Sequence, residues 1–302
     1  MSSKNGIFSK SVITTRQLSS KDSGNLIDAG FPFPKATLQP FLADRFYKLA
    51  KLMPREIGLV AYHNKEKRAV GYLCLVAHTN SLYSIKYVFS DPRFRRIGIA
   101  TRLMNHALHL AKKRGAKKVF LTTYPNSAAT KLYQKIGFKR IVNSFFVKGE
   151  GCTSNFLLQS RDPQITLRPS PKSSRLLYSI YHRSLGQDWI NFFETNTKNL
   201  TNGYSQDFKH FFLKTIFIDA SADFFAMVFN LPLTSTAFCE LYSSSDSFFP
   251  SRIKDLMIIL QKRGITYTKI TLFNIENTEC FNLLREKRFY PYQAVYMGNS
   301  LR

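Results

Sequence analysis

Arg95-Arg96-Ile97-Gly98-Ile99-Ala100 is the stretch on which the fold of this 302-residue chain turns. Leu82 to Phe89 precedes it, rich in β-branched and aromatic residues, and reads as a strand. Behind it Ala100, Leu103, Met104, Ala107, Leu108 and Ala111 recur at helical spacing, up to Arg114-Gly115. A strand therefore passes through a short basic turn into a helix. Successive amides converge at such a helix start and make an anion site. Gly98 removes a Cβ that would hold a phosphate away, and Arg95 and Arg96 add charge, with Arg96 the freer to reach outward. Neither Gly-Lys-Ser/Thr nor G-x-G-x-x-G is present, so the commoner phosphate loops are excluded.

Downstream, Lys117 to Thr123 reads as a second strand. Asn126 is placed as the N-cap of a short helix that carries Leu132-Tyr133 and stops at Gly137, where Phe138 opens another strand. Two patterns thus stand in order: R-x-x-G-x-A at Arg95, Gly98 and Ala100, and N-x-x-A-x-x-L-Y-x-x-x-G-F from Asn126 to Phe138. Pro92 and Phe94 lead into the first. Together they resemble the GNAT superfamily, the acetyl-CoA-dependent N-acetyltransferases, over residues up to about 150.

The resemblance implies an α/β (α+β) fold with a mixed, mostly antiparallel sheet flanked by helices. It implies acetyl-CoA as cosubstrate, a primary amine of a small molecule or protein as acceptor, and a ternary complex. By the same resemblance Arg95, Arg96, Ile97, Gly98, Ile99 and Ala100 would cradle the coenzyme's pyrophosphate. The backbone of Tyr87, Val88 and Phe89 would pair with the pantetheine arm, which Asn126 would also bond. Tyr133 would protonate the departing thiolate. Many relatives carry a glutamate on the strand before the turn, yet Tyr83 to Phe89 holds no carboxylate; Glu56, His63 and His78 are the candidates for the base. No metal is expected.

Towards the N-terminus, Val12–Leu18 reads as a first strand and Ser19-Ser20-Lys21-Asp22 as a helix start. A helical stretch resumes from Leu38 to Met53, where the family's acceptor pocket is shaped; Phe31, Phe33, Phe41 and Phe46 are its candidate linings or core. Ile57–His63 and Ala69–Ala77 form two strands around the charged hairpin 64–68.

The second half repeats the first. Gln261-Lys262-Arg263-Gly264 answers Lys112-Lys113-Arg114-Gly115. Lys269, Leu272, Asn277, Leu283 and Phe289 answer Lys118, Leu121, Asn126, Leu132 and Phe138. Its chemistry is missing: Ser244 to Phe249 replaces the basic turn, Asp246 would repel a pyrophosphate, and Leu284 and Arg288 replace Tyr133 and Gly137. The expected organisation is an acetyltransferase domain at 1–150 and a degenerate GNAT-like domain at 165–302.

Composition bounds the remaining classes. At 44% hydrophobic and 21% charged residues the chain has the make-up of a globular protein. No apolar run is long enough to cross a bilayer. Cys74, Cys152, Cys239 and Cys280 are scattered without C-x-x-C spacing, as in a reduced, cytoplasmic protein. The net charge of +25 is concentrated in residues 1–150, with 27 basic against 7 acidic side chains. Such a field attracts anions of any kind. An acetyl-CoA-binding regulatory or scaffold protein, or a nucleic-acid-associated factor, are the alternatives to the enzyme; no nucleic-acid recognition motif accompanies the charge.

Overall fold

The computed structural model describes residues 13–19, 22, 56–148, 151–152, 167–169, 174–193, 213–219, 224–230, 236–243, 249–265, 267–273, 278–287 and 289–301. The helical stretch 38–53, the four phenylalanines within 31–46 and the segment 244–248 lie outside them. Two units emerge. The first comprises residues 1–121, 131–139 and 298–302; the second comprises 122–130 and 140–297.

In the first unit, β1 (Ile13–Gln17), β2 (Glu56–His63), β3 (Arg68–Ala77) and β4 (Leu82–Ser90) form an antiparallel meander. A turn of 3₁₀ helix, Pro92–Phe94, leads to α1 (Ile99–Lys113). The chain then returns as β5 (Lys118–Thr123), which runs parallel to β4. A parallel neighbour requires a crossover, and α1 supplies it. Its buried residues Ile99, Leu103, Met104, Ala107 and Ala111 fall on one face, packed on β3, β2 and β4. Ile99, Leu103 and Met104 withdrawn from water contribute about 1.5–3 kcal/mol each, the two alanines less. Gly115, at φ 86°, ends the helix: its N–H bonds the Lys112 carbonyl and that of Ala116 the Ala111 carbonyl. Only glycine adopts that left-handed position without a Cβ penalty. At the far end of the sequence, Leu301 donates its N–H to the Lys117 carbonyl, and Asn299 its side-chain amide to that of Ile136.

The second unit repeats this order. β8 (Leu167–Pro169), β9 (Leu213–Asp219), β10 (Phe224–Asn230) and β11 (Thr236–Ser243) are antiparallel. After α4 (Phe249–Lys262) comes β12 (Tyr267–Phe273), parallel to β11. Between β8 and β9 lies α3 (Ser174–Phe193), interrupted at Gly186. After β12 come α5 (Thr278–Glu286) and β13 (Tyr290–Ser300). The helix ends correspond bond for bond. Gly264 N–H reaches the Gln261 carbonyl and Ile265 N–H that of Leu260, as Gly115 and Ala116 do. α2 (Ala128–Lys135) closes with Phe138 N–H on the Tyr133 carbonyl, and α5 with Phe289 N–H on that of Leu284. The sequence repeat is therefore also a structural one.

One departure from chain order is notable. β6 (Lys139–Lys148), which follows α2, pairs antiparallel with β12, and β7 (Gly151–Cys152) also pairs with β12. Most of β6 accordingly belongs to the second unit, while the last residues of the chain belong to the first. The units are not successive segments, because strand pairing rather than chain position decides membership.

Candidate active site

β4 and β5 share only three rungs, Leu82 with Lys118, Tyr83 with Val119 and Ser84 with Phe120. Further along, β4 shifts register against β3 between the pairs Cys74–Lys86 and Tyr72–Phe89. Two residues, Tyr87 and Val88, therefore face one on β3, and Tyr87 takes φ 57° with 65% of its surface exposed. A bulge of this kind leaves backbone groups outside the ladder. A non-glycine residue at positive φ stores about 1–3 kcal/mol, a cost that clusters at functional sites.

The turn beyond is built on Asp91, which the sequence reading passed over. Its carboxylate is 1% exposed and accepts from the Arg93 backbone N–H (3.0 Å), the Arg93 guanidinium (2.8 Å) and the Arg68 guanidinium (2.9 Å). Burial works to raise its pKa, but the arginine bonds outweigh it and hold the group below the ordinary carboxylate range. Pro92 stands at the start of the 3₁₀ turn, where its missing N–H is no loss.

Arg95, Arg96, Ile97 and Gly98 follow, all exposed; Arg96 has φ 67° and Gly98 φ 85°. Among the described residues, no side chain caps the N-terminus of α1. A Cβ placed on Gly98 would meet no atom of theirs within 4 Å, so none of them fills the space in front of the helix. The first turn of amides and its positive dipole end face that space, the arrangement that binds phosphate.

Gly71 on β3 brings the bulge and the helix start together, and no sequence signal singled it out. Its ideal Cβ position is 2.5 Å from Ile99 Cγ2, 3.1 Å from Leu103 Cδ1 and 3.1 Å from the Phe89 carbonyl oxygen. α1 thus sits closer to the sheet than any side chain at 71 allows. Tyr87, Val88, Phe89 and Arg95 to Ala100 accordingly form one cluster in the first unit.

Tyr133 lies in the same unit, 6% exposed, its ring 6.1 Å from that of Phe138. Burial pushes its pKa up to about 12, so the phenol keeps its proton at neutral pH. Asn126 belongs to the second unit, at φ 59°. It is not the cap of α2: Ser127 Oγ accepts from Thr130 N–H at 3.1 Å and itself donates to the Tyr124 carbonyl. Asn126 tolerates the left-handed turn just before.

The three candidate bases separate. His63 Nδ1 accepts from the Glu66 N–H and its ring lies against Phe94, which makes it a hairpin residue. Glu56 starts β2, half-buried, opposite Val76. His78 Nε2 is 2.7 Å from Ser84 Oγ.

The second unit has closed the corresponding region. Phe238 pairs with Lys269 as Leu82 does with Lys118, so Ser243 stands where the first unit has Tyr87. Its carbonyl is occupied by the Ser184 hydroxyl of α3 at 2.8 Å. Phe225, Tyr242 and Phe273 stack at 4.6 and 5.0 Å, and Trp189 lies edge-on to Phe273 and donates to Tyr181 Oη at 2.6 Å. All five are buried.

Residues 25–138 match the acetyltransferase (GNAT) family. The zebrafish (Danio rerio) N-alpha-acetyltransferase 50 is 36% identical over 104 residues, which is 32% of this chain and 60% of the relative. An uncharacterized N-acetyltransferase of Methanocaldococcus jannaschii is 43% identical over 56 residues, 18% of this chain and 25% of its own length. The chain therefore spans less than two thirds of these curated relatives. Among solved structures, a GCN5-related N-acetyltransferase from Sphaerobacter thermophilus superposes over 97% of this chain and 96% of its own, with TM-score 0.55 at 12% identity. A tandem GNAT protein from the clavulanic acid biosynthesis pathway covers 95% and 98%, with TM-score 0.50 at 14% identity. At such identity the likeness is one of fold. The match to the acetyltransferase (GNAT) family thus rests on residues 25–138, and the chain as a whole shares its fold with a tandem GNAT protein.

Proposed function

We propose that the chain is an acetyl-CoA-dependent N-acetyltransferase with one working site, in its first unit. The observation that carries this is the start of α1 behind left-handed Gly98, neither capped nor covered by any described residue and fixed against the β4 bulge over Gly71. Amides from Ile97 to Ala100, with the charges of Arg95 and Arg96, would take the coenzyme's pyrophosphate. The bulged backbone at Tyr87, Val88 and Phe89 would pair with the pantetheine amides. The thioester would then lie along the gap opening between β4 and β5 beyond Ser84 and Phe120.

Chemistry there has two requirements. An alkylamine of pKa about 10.4 is neutral in only roughly one molecule in two thousand at pH 7, whereas an α-amine of pKa about 7.7–8.0 needs much less help. The thiolate must be protonated as the tetrahedral intermediate collapses, and Tyr133, a protonated phenol, would supply that proton. Holding amine and thioester in one complex supplies much of the remaining rate. The likeness to N-alpha-acetyltransferase 50 puts peptide α-amines first among acceptors. A strongly basic surface, which repels polycations, favours the same choice. The second unit would be a degenerate copy, its strand end capped by Ser184 and its sheet face filled by aromatic rings. The buried thiols of Cys74 and Cys239, in no disulfide, suit a cytoplasmic setting.

Calorimetric titration with acetyl-CoA tests the site, and thiol release over a panel of peptide α-amines, lysine peptides and spermidine tests the reaction. One coenzyme per chain with turnover of a peptide is the expected result. Binding without turnover of any amine would favour a regulatory or scaffold role, and no binding would end the proposal. Affinity for duplex or RNA with a steep salt slope would point to the nucleic-acid alternative.

A further inference from the structure

β4 itself carries no carboxylate, and the last rung of its pairing with β5 carries a hydroxyl in contact with an imidazole instead. Ser84 and Phe120 form that rung, after which the two strands part. His78 lies across it: its Nε2 is 2.7 Å from Ser84 Oγ, and its ring is 5.2 Å from that of Phe120. The imidazole is pinned from its own backbone too, since His78 N–H donates to the Leu82 carbonyl at 2.9 Å. Ser84 is buried and His78, which reaches it from the β3–β4 hairpin, is half-buried.

The repeat gives an independent pointer. With Phe238 on Lys269 matching Leu82 on Lys118, the residue of the second unit at the place of Ser84 is Glu240. The copy that lost its basic turn thus carries a carboxylate at this register position, held by the Tyr242 hydroxyl at 3.0 Å. The copy with the turn carries a hydroxyl backed by an imidazole.

We propose that Ser84 and His78 form a proton relay that deprotonates the acceptor amine. This rests on the acetyltransferase function proposed above. The ammonium gives a proton to Ser84 Oγ as the Ser84 hydroxyl proton passes to His78 Nε2, leaving a neutral amine and an imidazolium. The amine nitrogen attacks the thioester carbonyl; the C–N bond forms, the C–S bond breaks, and the thiolate takes the Tyr133 proton. The second proton on nitrogen leaves to solvent and Tyr133 and His78 return to their starting states through solvent. Overall one ammonium and one acetyl-CoA become one amide, one free thiol and one proton. Ser84 is the catalytic residue that meets the amine, and His78 acts through it.

The test uses the full chain and the panel amine that the parent turns over fastest. His78→Ala is expected to lower kcat about 100-fold or more, the range of general base catalysis, with the KM for acetyl-CoA unchanged. Free imidazole added to that variant restores part of the turnover, which a structural defect would not allow. His78→Gln, which keeps a polar neighbour for Ser84 but takes up no proton, falls like His78→Ala. Ser84→Ala lowers kcat, again without changing KM for acetyl-CoA. Melting curves and acetyl-CoA titrations of all three variants match the parent. The relay is overturned if His78→Gln retains parental kcat, or if imidazole leaves His78→Ala unimproved. A parent that binds acetyl-CoA but acetylates no amine removes the acetyltransferase proposal itself, and the relay with it.

Discussion

Gly71→Ala is the most revealing single change, because residue 71 is itself assigned no contact with coenzyme yet pushes on the joint between the bulge and the helix start. The new methyl would stand 2.5 Å from Ile99 Cγ2, where carbon atoms at optimal contact are about 3.5–4.0 Å apart. The Phe89 carbonyl and Leu103 Cδ1, each at 3.1 Å, close two other directions of relief. The N-terminal turn of α1 therefore has to lift by about 1 Å, and overpacking of this kind costs about 1–3 kcal/mol. The same lift moves the amides off the pyrophosphate. If half of a 3 kcal/mol effect falls on binding, affinity for acetyl-CoA drops about tenfold, since each 1.4 kcal/mol is one decade. Calorimetry with acetyl-CoA and a melting curve read the two parts separately. Ile99→Ala removes the clashing methyl, so Gly71→Ala/Ile99→Ala should lose less than the sum of the single changes. A Gly71→Ala protein that melts and binds like its parent would refute the close approach on which the site depends.

Other changes separate the remaining groups. Gly98→Glu should abolish acetyl-CoA binding by bulk and repulsion, while melting shifts by only the left-handed penalty of about 1–2 kcal/mol, because its Cβ meets none of the described residues. Tyr133→Phe should reduce kcat more than it changes KM for acetyl-CoA; equal turnover would remove the acid role. Since burial raises the Tyr133 pKa to about 12, its share of stability is whole below pH 10 and drains away as pH rises towards 12. Chemical denaturation of Tyr133→Phe between these limits should accordingly decline less steeply with pH than that of the parent. Asp91→Asn keeps the turn's shape but not its charge, and should weaken acetyl-CoA binding and lower the melting temperature at pH 7. The lowered pKa of Asp91 means its contribution is present at neutral pH and fades only as pH falls below the carboxylate range, so parent and variant should converge in acid.

How much of this was legible beforehand follows from which interactions are local. The helix, its Gly115 stop and the strand before the turn were readable because periodicity and capping are properties of neighbours in sequence. The repeat was readable from spacing, and its helix ends agree to the individual hydrogen bond. Gly71 escaped notice because its role is defined by Ile99, 28 positions on and across a sheet-to-helix contact. Asp91 likewise takes its meaning from Arg68, 23 residues away. Asn126 was assigned a cap that Ser127 provides, since both are good capping residues and only the backbone conformation decides between them. The grouping of β6 with β12 was not legible at all: it depends on register between strands more than a hundred residues apart.

A crystal structure of the full chain with coenzyme A bears most directly on the central claim. The account predicts one coenzyme per chain, its pyrophosphate on the amides between Ile97 and Ala100 and its sulfur in the gap beyond Ser84 and Phe120. A pyrophosphate bound away from the start of α1, or a coenzyme seated in the aromatic-filled second unit, would contradict it.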